Sequence, residues 1–403
     1  MPTSIQEPGG GTNVRVARTF HGRRIITITR DGRDVEVVEG LQAVKVKQPD
    51  LATQDRGFMV ESADPPPALG ITVRDEVVPF DRGSSVDIEW SEPLVVDRGS
   101  AAPDDPFFAQ QWALEAIKAE AAWNGASVAG VVIAVLDTGV AMESGSLSHP
   151  DLPASIDLGR NVVAGTNTPV DDHGHGTHVA GLIAASTNNA VGIAGLWSGG
   201  VLVVKVLNEN MDGTSVTFKD GVVAAVEYAK AAGARLVINY SAGGADALAK
   251  QEAVRYAQDE GALIVAAAGN SFASPIQFPA AYAGAFPHVM AVAAVARNNE
   301  APLFGTRGPE MTIAAPGVGV LSTLPPYVVT MTGEGKRTSY DELDGTSQAS
   351  PQVAALAAHV WARRPAWTSA EVRAHIQDTA DPLEQPEVFG SGIINVTRAL
   401  QAL

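Results

Sequence analysis

The chain has 403 residues, 45% of them hydrophobic, enough for two domains or for one large domain with an appendage. It has no cysteine, which excludes a disulfide framework, a thiolate nucleophile and a cysteine-based metal site. Its formal charge of −17 disfavours binding to a nucleic-acid backbone, and no apolar run reaches the roughly 18 residues that suggest a membrane span.

Residues 1–22 are polar and glycine-rich and are predicted to be disordered. They contain no apolar core of a secretory signal, so the protein is either cytoplasmic or exported through a signal outside this sequence. From Arg23 to Val96 come the short runs RRIITITR, DVEVVEG, AVKVKQ, ITVRDEVV and VDIEWSEPLVV, interrupted by Pro65, Pro66 and Pro67. They predict a small β-rich or α+β domain over 23–100. The stretch DRGSAAPDDP, 97–106, is rich in turn formers, and 101–106 reads as a linker.

A different texture begins at Phe107 and continues to Leu403. The continuous apolar runs VVIAVLD, VLVVKVL, RLVINYS, ALIVAAA and VMAVAAVA alternate with helix candidates at 175–186, 217–232, 246–260, 347–363 and 369–380. Runs apolar on both faces belong to strands covered on both sides. The alternation predicts an α/β domain, a doubly wound, mostly parallel sheet flanked by helices. Such folds bind ligands at the carboxyl ends of the strands, so the chemical residues are expected there.

Asp137 ends the run VVIAVLD, at a strand's carboxyl end; a turn-capping role competes. His175 lies in DDHGHGTHVAGLIAAS, ahead of a small-residue helix. Here a zinc reading competes, because His173, His175 and His178 form H-x-H-x-x-H, although the pattern H-E-x-x-H is absent. Ser347 lies in DGTSQASPQVAALAAHVWARR, where Pro351 is tolerated only near a helix start. That puts Ser347 at a helix N-terminus, where the dipole favours developing negative charge; a simple N-cap competes. Asn270 closes LIVAAAGN, and its amide, with the Ser347 backbone N–H, can donate to an oxyanion.

LDTG, HGTHVAG, AAGN and GTSQASP, in this order and with VKVL and INYSAGG between them, resemble the subtilisin-like (S8) serine peptidases over about 107–403. The flank DDPFFAQQWALEAIKAEAAW is most similar to the thermitase-like branch. The resemblance implies a serine endopeptidase acting on protein and peptide substrates. It makes Ser347 the nucleophile, His175 the general base, Asp137 its orienting carboxylate and Asn270 the oxyanion donor. It also implies that Ser241, Ala242 and Gly243 pair with the substrate backbone, with Asp212 and Gly213 on the opposite edge of the cleft. Gln277 falls at the base of the primary specificity pocket.

A structural calcium ion is a further implication. Asp105, Asp151 and Asn189, with the carbonyls of Val191 and Ile193, match the family's oxygen ligands. Two positions depart from the commonest pattern. Gln348 follows the nucleophile where many members carry Met, which removes a thioether prone to oxidation. Gln352 stands where His is frequent. VDIEWSEPLVV running into DDPFFAQQW resembles the end of a subtilisin-type propeptide. Residues 23–100 are accordingly expected to act as the enzyme's own prodomain, a folding chaperone and inhibitor cleaved between about Val96 and Pro106. An accessory β domain is the alternative for this region. For the whole chain the alternative to an enzyme is a catalytically silent binding protein on the same fold, which would need a broken triad or oxyanion hole.

Overall fold

The computed structural model describes residues 102–124, 128–272 and 274–403, and within 1–98 the backbone of eight strands. The chain divides into two units, Met1–Arg98 and Gly99–Leu403. In the first, the strands Ser4–Gln6, Thr12–Phe20, Arg23–Arg30 and Arg33–Val38 form one antiparallel sheet in that order. A second sheet runs Ile71–Val73, Arg56–Ser62, Ala43–Lys47, Asp87–Glu89. Residues 1–22 therefore contain two strands where the sequence predicts disorder. Thr12–Phe20 alternates Val14 and Val16 with polar residues, and it pairs with Arg23–Arg30 in a hairpin from Phe20↔Arg23 to Thr12↔Arg30. The glycine-rich run before it masks that short alternation. The predicted linker begins at a position, 101, outside the described residues.

The second unit is built on seven strands. They are β1 (Val131–Asp137), β2 (Ile156–Asn161), β3 (Gly200–Lys205), β4 (Arg235–Tyr240), β5 (Leu263–Ala267), β6 (Val289–Val295) and β7 (Ile313–Pro316). They form one sheet in the order β2-β3-β1-β4-β5-β6-β7, and every pairing is parallel. The five continuous apolar runs are all interior strands, β1, β3, β4, β5 and β6. The edge strand β2 is only partly buried, and β7 is four residues long, so neither has a long apolar signature.

Five longer helices cover this sheet: α1 (His175–Ala184), α2 (Ser215–Ala232), α3 (Leu248–Asp259), α4 (Thr346–Arg363) and α5 (Ser369–Asp378). Helices α1 and α4 pack together, and α4 crosses β1, β4, β5, β6 and β7. Helices α2 and α3 also pack together; α2 lies on β1 to β4, and α3 on β5. Every residue of α1 is buried, as is α4 from Thr346 to Trp361. Their small side chains allow this: α1 reads HGTHVAGLIA, and alanines dominate the middle of α4. Among the described residues no helix is long and apolar enough to cross a membrane.

The chain leaves β1 toward β2 and β3 on one side and then continues through β4 to β7 on the other. The carboxyl end of β1 thus lies where the winding direction changes, which is the expected place for a site. Here α1 sits very close to the chain that follows β1. A Cβ on Gly176 would stand 2.2 Å from the Gly139 carbonyl oxygen and 2.8 Å from its nitrogen. Gly176→Ala is expected to push α1 off this turn and destabilise the unit by about 1–3 kcal/mol, the usual range for overpacking. A denaturant midpoint equal to that of the parent would show instead that α1 moves away freely.

Candidate functional site

Asp137, the last residue of β1, is fully buried. Its backbone carbonyl accepts N–H groups from Val206 (2.8 Å) and Leu207 (3.2 Å), just beyond β3. Its carboxylate Oδ1 accepts the N–H of Thr138 at 2.7 Å and lies 2.8 Å from His175 Nδ1. Its Oδ2 is buried and, among the described residues, has no hydrogen-bond partner. Burial opposes a charge on His175, but the Asp137 charge and hydrogen bond, helped by Asp171, outweigh it. The imidazole is therefore held above the ordinary histidine range. The same contacts fix its tautomer: Nδ1–H faces the carboxylate, which leaves Nε2 to accept a proton.

His175 opens α1, and the turn that delivers it is organised by Asp171. Asp171 Oδ1 accepts from the Thr138 hydroxyl (2.9 Å) and the N–H groups of His173 (3.1 Å) and Gly174 (2.8 Å). Its Oδ2 accepts from the Thr177 N–H (2.8 Å) and hydroxyl (2.6 Å). The buried carboxylate thus satisfies N–H groups at the start of α1, where the helix dipole also favours it. Thr138 closes the loop by accepting the Gly176 N–H at 2.8 Å. Lys205, at the end of β3 and in register with Asp137, donates to the Thr138 carbonyl (2.6 Å) and to Asp172 (2.7 Å).

The three histidines do not converge as a metal cage would. His173 Nδ1 accepts the N–H of His175 at 3.3 Å, and His175 Nδ1 faces Asp137. His178 Nε2 points away, toward the carbonyls of Val320 (3.1 Å) and Asp341 (3.2 Å). Burial lowers its pKa to about 3, so His178 is a neutral core histidine.

Ser347 is the second residue of α4. It follows Gly345, whose φ of 146° is open to glycine and where a Cβ would crowd Gln348 and Asn270. The helix begins at Thr346, so Pro351 is its sixth residue, beyond the N–H groups that lack partners anyway. Ser347 thus stands at the helix N-terminus as the sequence predicts, and Pro351 leaves the Ser347 carbonyl without its usual i+4 donor. Ser347 Oγ donates to the Ser241 carbonyl at 2.8 Å, and Ser241 Oγ donates to the Ser347 carbonyl at 2.9 Å. Asn270, beyond the end of β5, is exposed. Its Oδ1 accepts the Thr346 N–H (2.9 Å) and hydroxyl (3.0 Å), and its Nδ2 lies beside Gly345 at the start of α4.

The remaining predicted residues fall into two groups. Ser241, Ala242 and Gly243 follow β4, and Gln277 packs beside them: a Cβ on Gly243 would meet Gln277 Oε1 at 2.5 Å, and one on Gly269 would meet its Cδ at 3.0 Å. Asp212 and Gly213 lie on the exposed turn between β3 and α2, held by Asn208, which accepts the Asp212 N–H at 2.9 Å. The second group lies in another loop. Asp151, fully buried, accepts from Asn189 Nδ2 (3.0 Å) and the Ile193 N–H (2.9 Å), with the Tyr340 hydroxyl 3.3 Å away. Asp105, 4% exposed, accepts N–H groups of Asn188 (3.0 Å) and Asn189 (3.3 Å). Asn189 Oδ1 accepts the Val191 N–H at 2.8 Å. Burial pushes the Asp151 carboxyl above its ordinary range against these hydrogen bonds, and the Asp105 charge adds to the rise. Among the described residues neither carboxylate pairs with Lys or Arg.

Asp171, Thr138 and Lys205 were not identified as site residues from the sequence. The acidic pair before His173 is visible in the sequence but gives no sign of which backbone groups it binds, and Lys205 reads as a break in an apolar run.

Comparison with known proteins agrees with this geometry. The chain matches the subtilase family, Peptidase_S8, over residues 128–392. It is 39% identical over 291 residues to Subtilisin BL of Lederbergia lenta, covering 72% of this chain and 97% of that protein. Thermitase of Thermoactinomyces vulgaris is 35% identical over 303 residues, covering 74% and 99%. A thermostable alkaline protease of Halalkalibacterium halodurans is 39% identical over 293 residues, covering 72% and 73%. The chain therefore belongs to the subtilase family and is a subtilisin-like serine endopeptidase.

Proposed function

We propose that Asp137, His175 and Ser347 form the catalytic triad and that Asn270 and the Ser347 N–H form the oxyanion hole. The observation that carries this reading is the buried 2.8 Å contact between Asp137 and His175 at the carboxyl end of β1. His175 Nε2 takes the Ser347 hydroxyl proton as Ser347 attacks the scissile carbonyl. The tetrahedral oxyanion is met by Asn270 Nδ2 and the helix N-terminus. The imidazolium, stabilised by Asp137, then protonates the leaving amine, and water hydrolyses the acyl-enzyme. In the resting structure the Ser347 hydroxyl faces the Ser241 carbonyl; such hydroxyls commonly swing to the base only when substrate is bound. Ser241, Ala242 and Gly243 supply one edge for an extended substrate and Asp212–Gly213 the other. Gln277, packed against Gly243 and Gly269, makes the pocket beside them shallower and more polar.

Calcium fits the second group. Two buried carboxylates converge on one short loop, no Lys or Arg among the described residues pairs with them, and the ligands on offer are carboxylate, amide and backbone carbonyl oxygens. Asp105, Asp151, the Asn189 side chain and the carbonyls of Val191 and Ile193 would hold the ion. It would neutralise the pair and tie residue 105 to the 188–193 loop. Residues 23–100 are assigned as a prodomain cleaved by the enzyme itself, on the likeness of their last strand to a subtilisin propeptide.

Three outcomes are expected. The expressed wild type should shorten to a start between about Val96 and Pro106 and take up a fluorophosphonate at Ser347. Ser347→Ala should remain full length and unlabelled, so equal intact masses would sink autoprocessing. The acid limb of kcat/KM should lie above the ordinary histidine value of ~6.5, because only neutral His175 is a base and its pKa is raised. Asp137→Asn should move that limb to lower pH and reduce kcat by about 10⁴, as in other triads. Chelation should lower the thermal midpoint by several degrees, since an ion at 100 times its Kd stabilises by ~2.7 kcal/mol. Asp151→Asn should abolish that response; a midpoint insensitive to chelator in the wild type would remove calcium from the account.

A further inference from the structure

Asn239 is an unexpected residue where it stands. It is the penultimate residue of β4, between Ile238 and Tyr240, and is fully buried in a strand whose neighbours are apolar. An amide in that setting costs free energy unless both ends are paired, and asparagine is a poor strand former. Both ends are paired, and in one direction only. The Ser350 hydroxyl donates to Asn239 Oδ1 at 2.8 Å, and Asn239 Nδ2 donates to Ser241 Oγ at 3.0 Å. Ser241 Oγ accepts from this amide and donates its single proton to the Ser347 carbonyl at 2.9 Å. Reversing the amide would draw the Ser241 proton to the amide oxygen and leave the Ser347 carbonyl without it, so this orientation is the one that serves that carbonyl.

The end of this relay explains its existence. The Ser347 carbonyl would ordinarily accept the N–H of residue 351, but residue 351 is proline. The carbonyl lies next to the reactive hydroxyl, on the residue whose N–H points at the oxyanion position. We infer that Asn239 is a positioning residue for catalysis: through Ser241 Oγ it replaces the helix donor that Pro351 removes, and so fixes the pose of Ser347. Ser350 completes the device from one turn along the same helix. The relay thereby locks the first turn of α4 to the interior of the sheet.

The inference rests on Ser347 being the nucleophile, and fluorophosphonate labelling of wild-type Ser347, mapped by mass spectrometry, tests that reading by itself. In Asn239→Leu, kcat on a peptide anilide is expected to fall tenfold to a hundredfold, of the order of a small misplacement of reacting groups (~10²). KM should stay within about twofold, and fluorophosphonate labelling should slow with kcat. Adding Pro351→Ala supplies an N–H that can reach the Ser347 carbonyl within the helix, so the double variant should recover most of the lost kcat. A residue that merely supports the core would lower thermal stability and gain nothing in kcat from that second change. Should Asn239→Leu not fold, Ser350→Ala removes the donor that orients the amide with a smaller change, and the same measurements and rescue apply. A folded variant with unaltered kcat, or a loss that Pro351→Ala leaves untouched, overturns the inference.

Discussion

The contact between the turn after β1 and the first turn of α1 governs the geometry of the rest of the site. Asp137 and His175 are 38 residues apart, yet their side chains meet at 2.8 Å because two stretches of backbone touch. Gly176 permits the approach, since any side chain there would collide with the Gly139 carbonyl. Asp171 maintains it by binding Thr138 on one side and the opening N–H groups of α1 on the other. Neither device involves the reacting atoms. Together they decide whether a buried carboxylate and an imidazole form a pair or two separate polar groups.

That arrangement carries a cost. Among the described residues nothing donates to the buried Asp137 Oδ2, and a buried acceptor left unsatisfied by the protein costs about 1–3 kcal/mol. The surrounding core can sustain it. Each fully buried Val, Ile or Leu contributes roughly 1.5–3 kcal/mol, and β1 alone buries Ile133, Val135 and Leu136 completely. The polar groups of the site are confined to strand ends and helix starts, where N–H and C=O groups would lack partners in any case. Asn239 is the exception, inside a strand, and for that reason it calls for a separate physical account.

Much of the catalytic unit is legible in the sequence because its central strands are buried on both faces. Such strands appear as unbroken apolar runs, and the helices between them keep a recognisable length and composition. Thus β1, β3, β4, β5 and β6 are visible, while β2 and β7 are not: one is half exposed and the other only four residues long. The strands at Ser4–Gln6 and Thr12–Phe20 are hidden for a different reason, since polar, glycine-rich flanks dominate their composition. At the site, Asp137 and Asn270 are legible because each ends an apolar run, and Ser347 because a proline and an alanine-rich helix follow it. Asp171 and Lys205 are not, because their importance lies in which distant backbone groups they bind. The loop 188–193 and the segment 241–243 carry no signal of their own; only likeness to a family gives them a meaning.

The two halves of the site are held by opposite means. On the histidine side, a carboxylate supplies acceptors to surplus N–H groups at the start of α1. On the serine side, a proline removes an N–H from α4, and a hydroxyl relay supplies a donor to the carbonyl left behind. A helix start has N–H groups in excess, so an anion is the natural partner for α1. Within α4 the same excess faces the cleft, where the proposed oxyanion would use it, and a protein carboxylate there would compete with the substrate. Removing one donor and anchoring the carbonyl from the sheet side fixes Ser347 without introducing a negative charge near the oxyanion position. The asymmetry follows from what each helix would present under the proposed mechanism: a neutral base from α1 and a positive potential from α4.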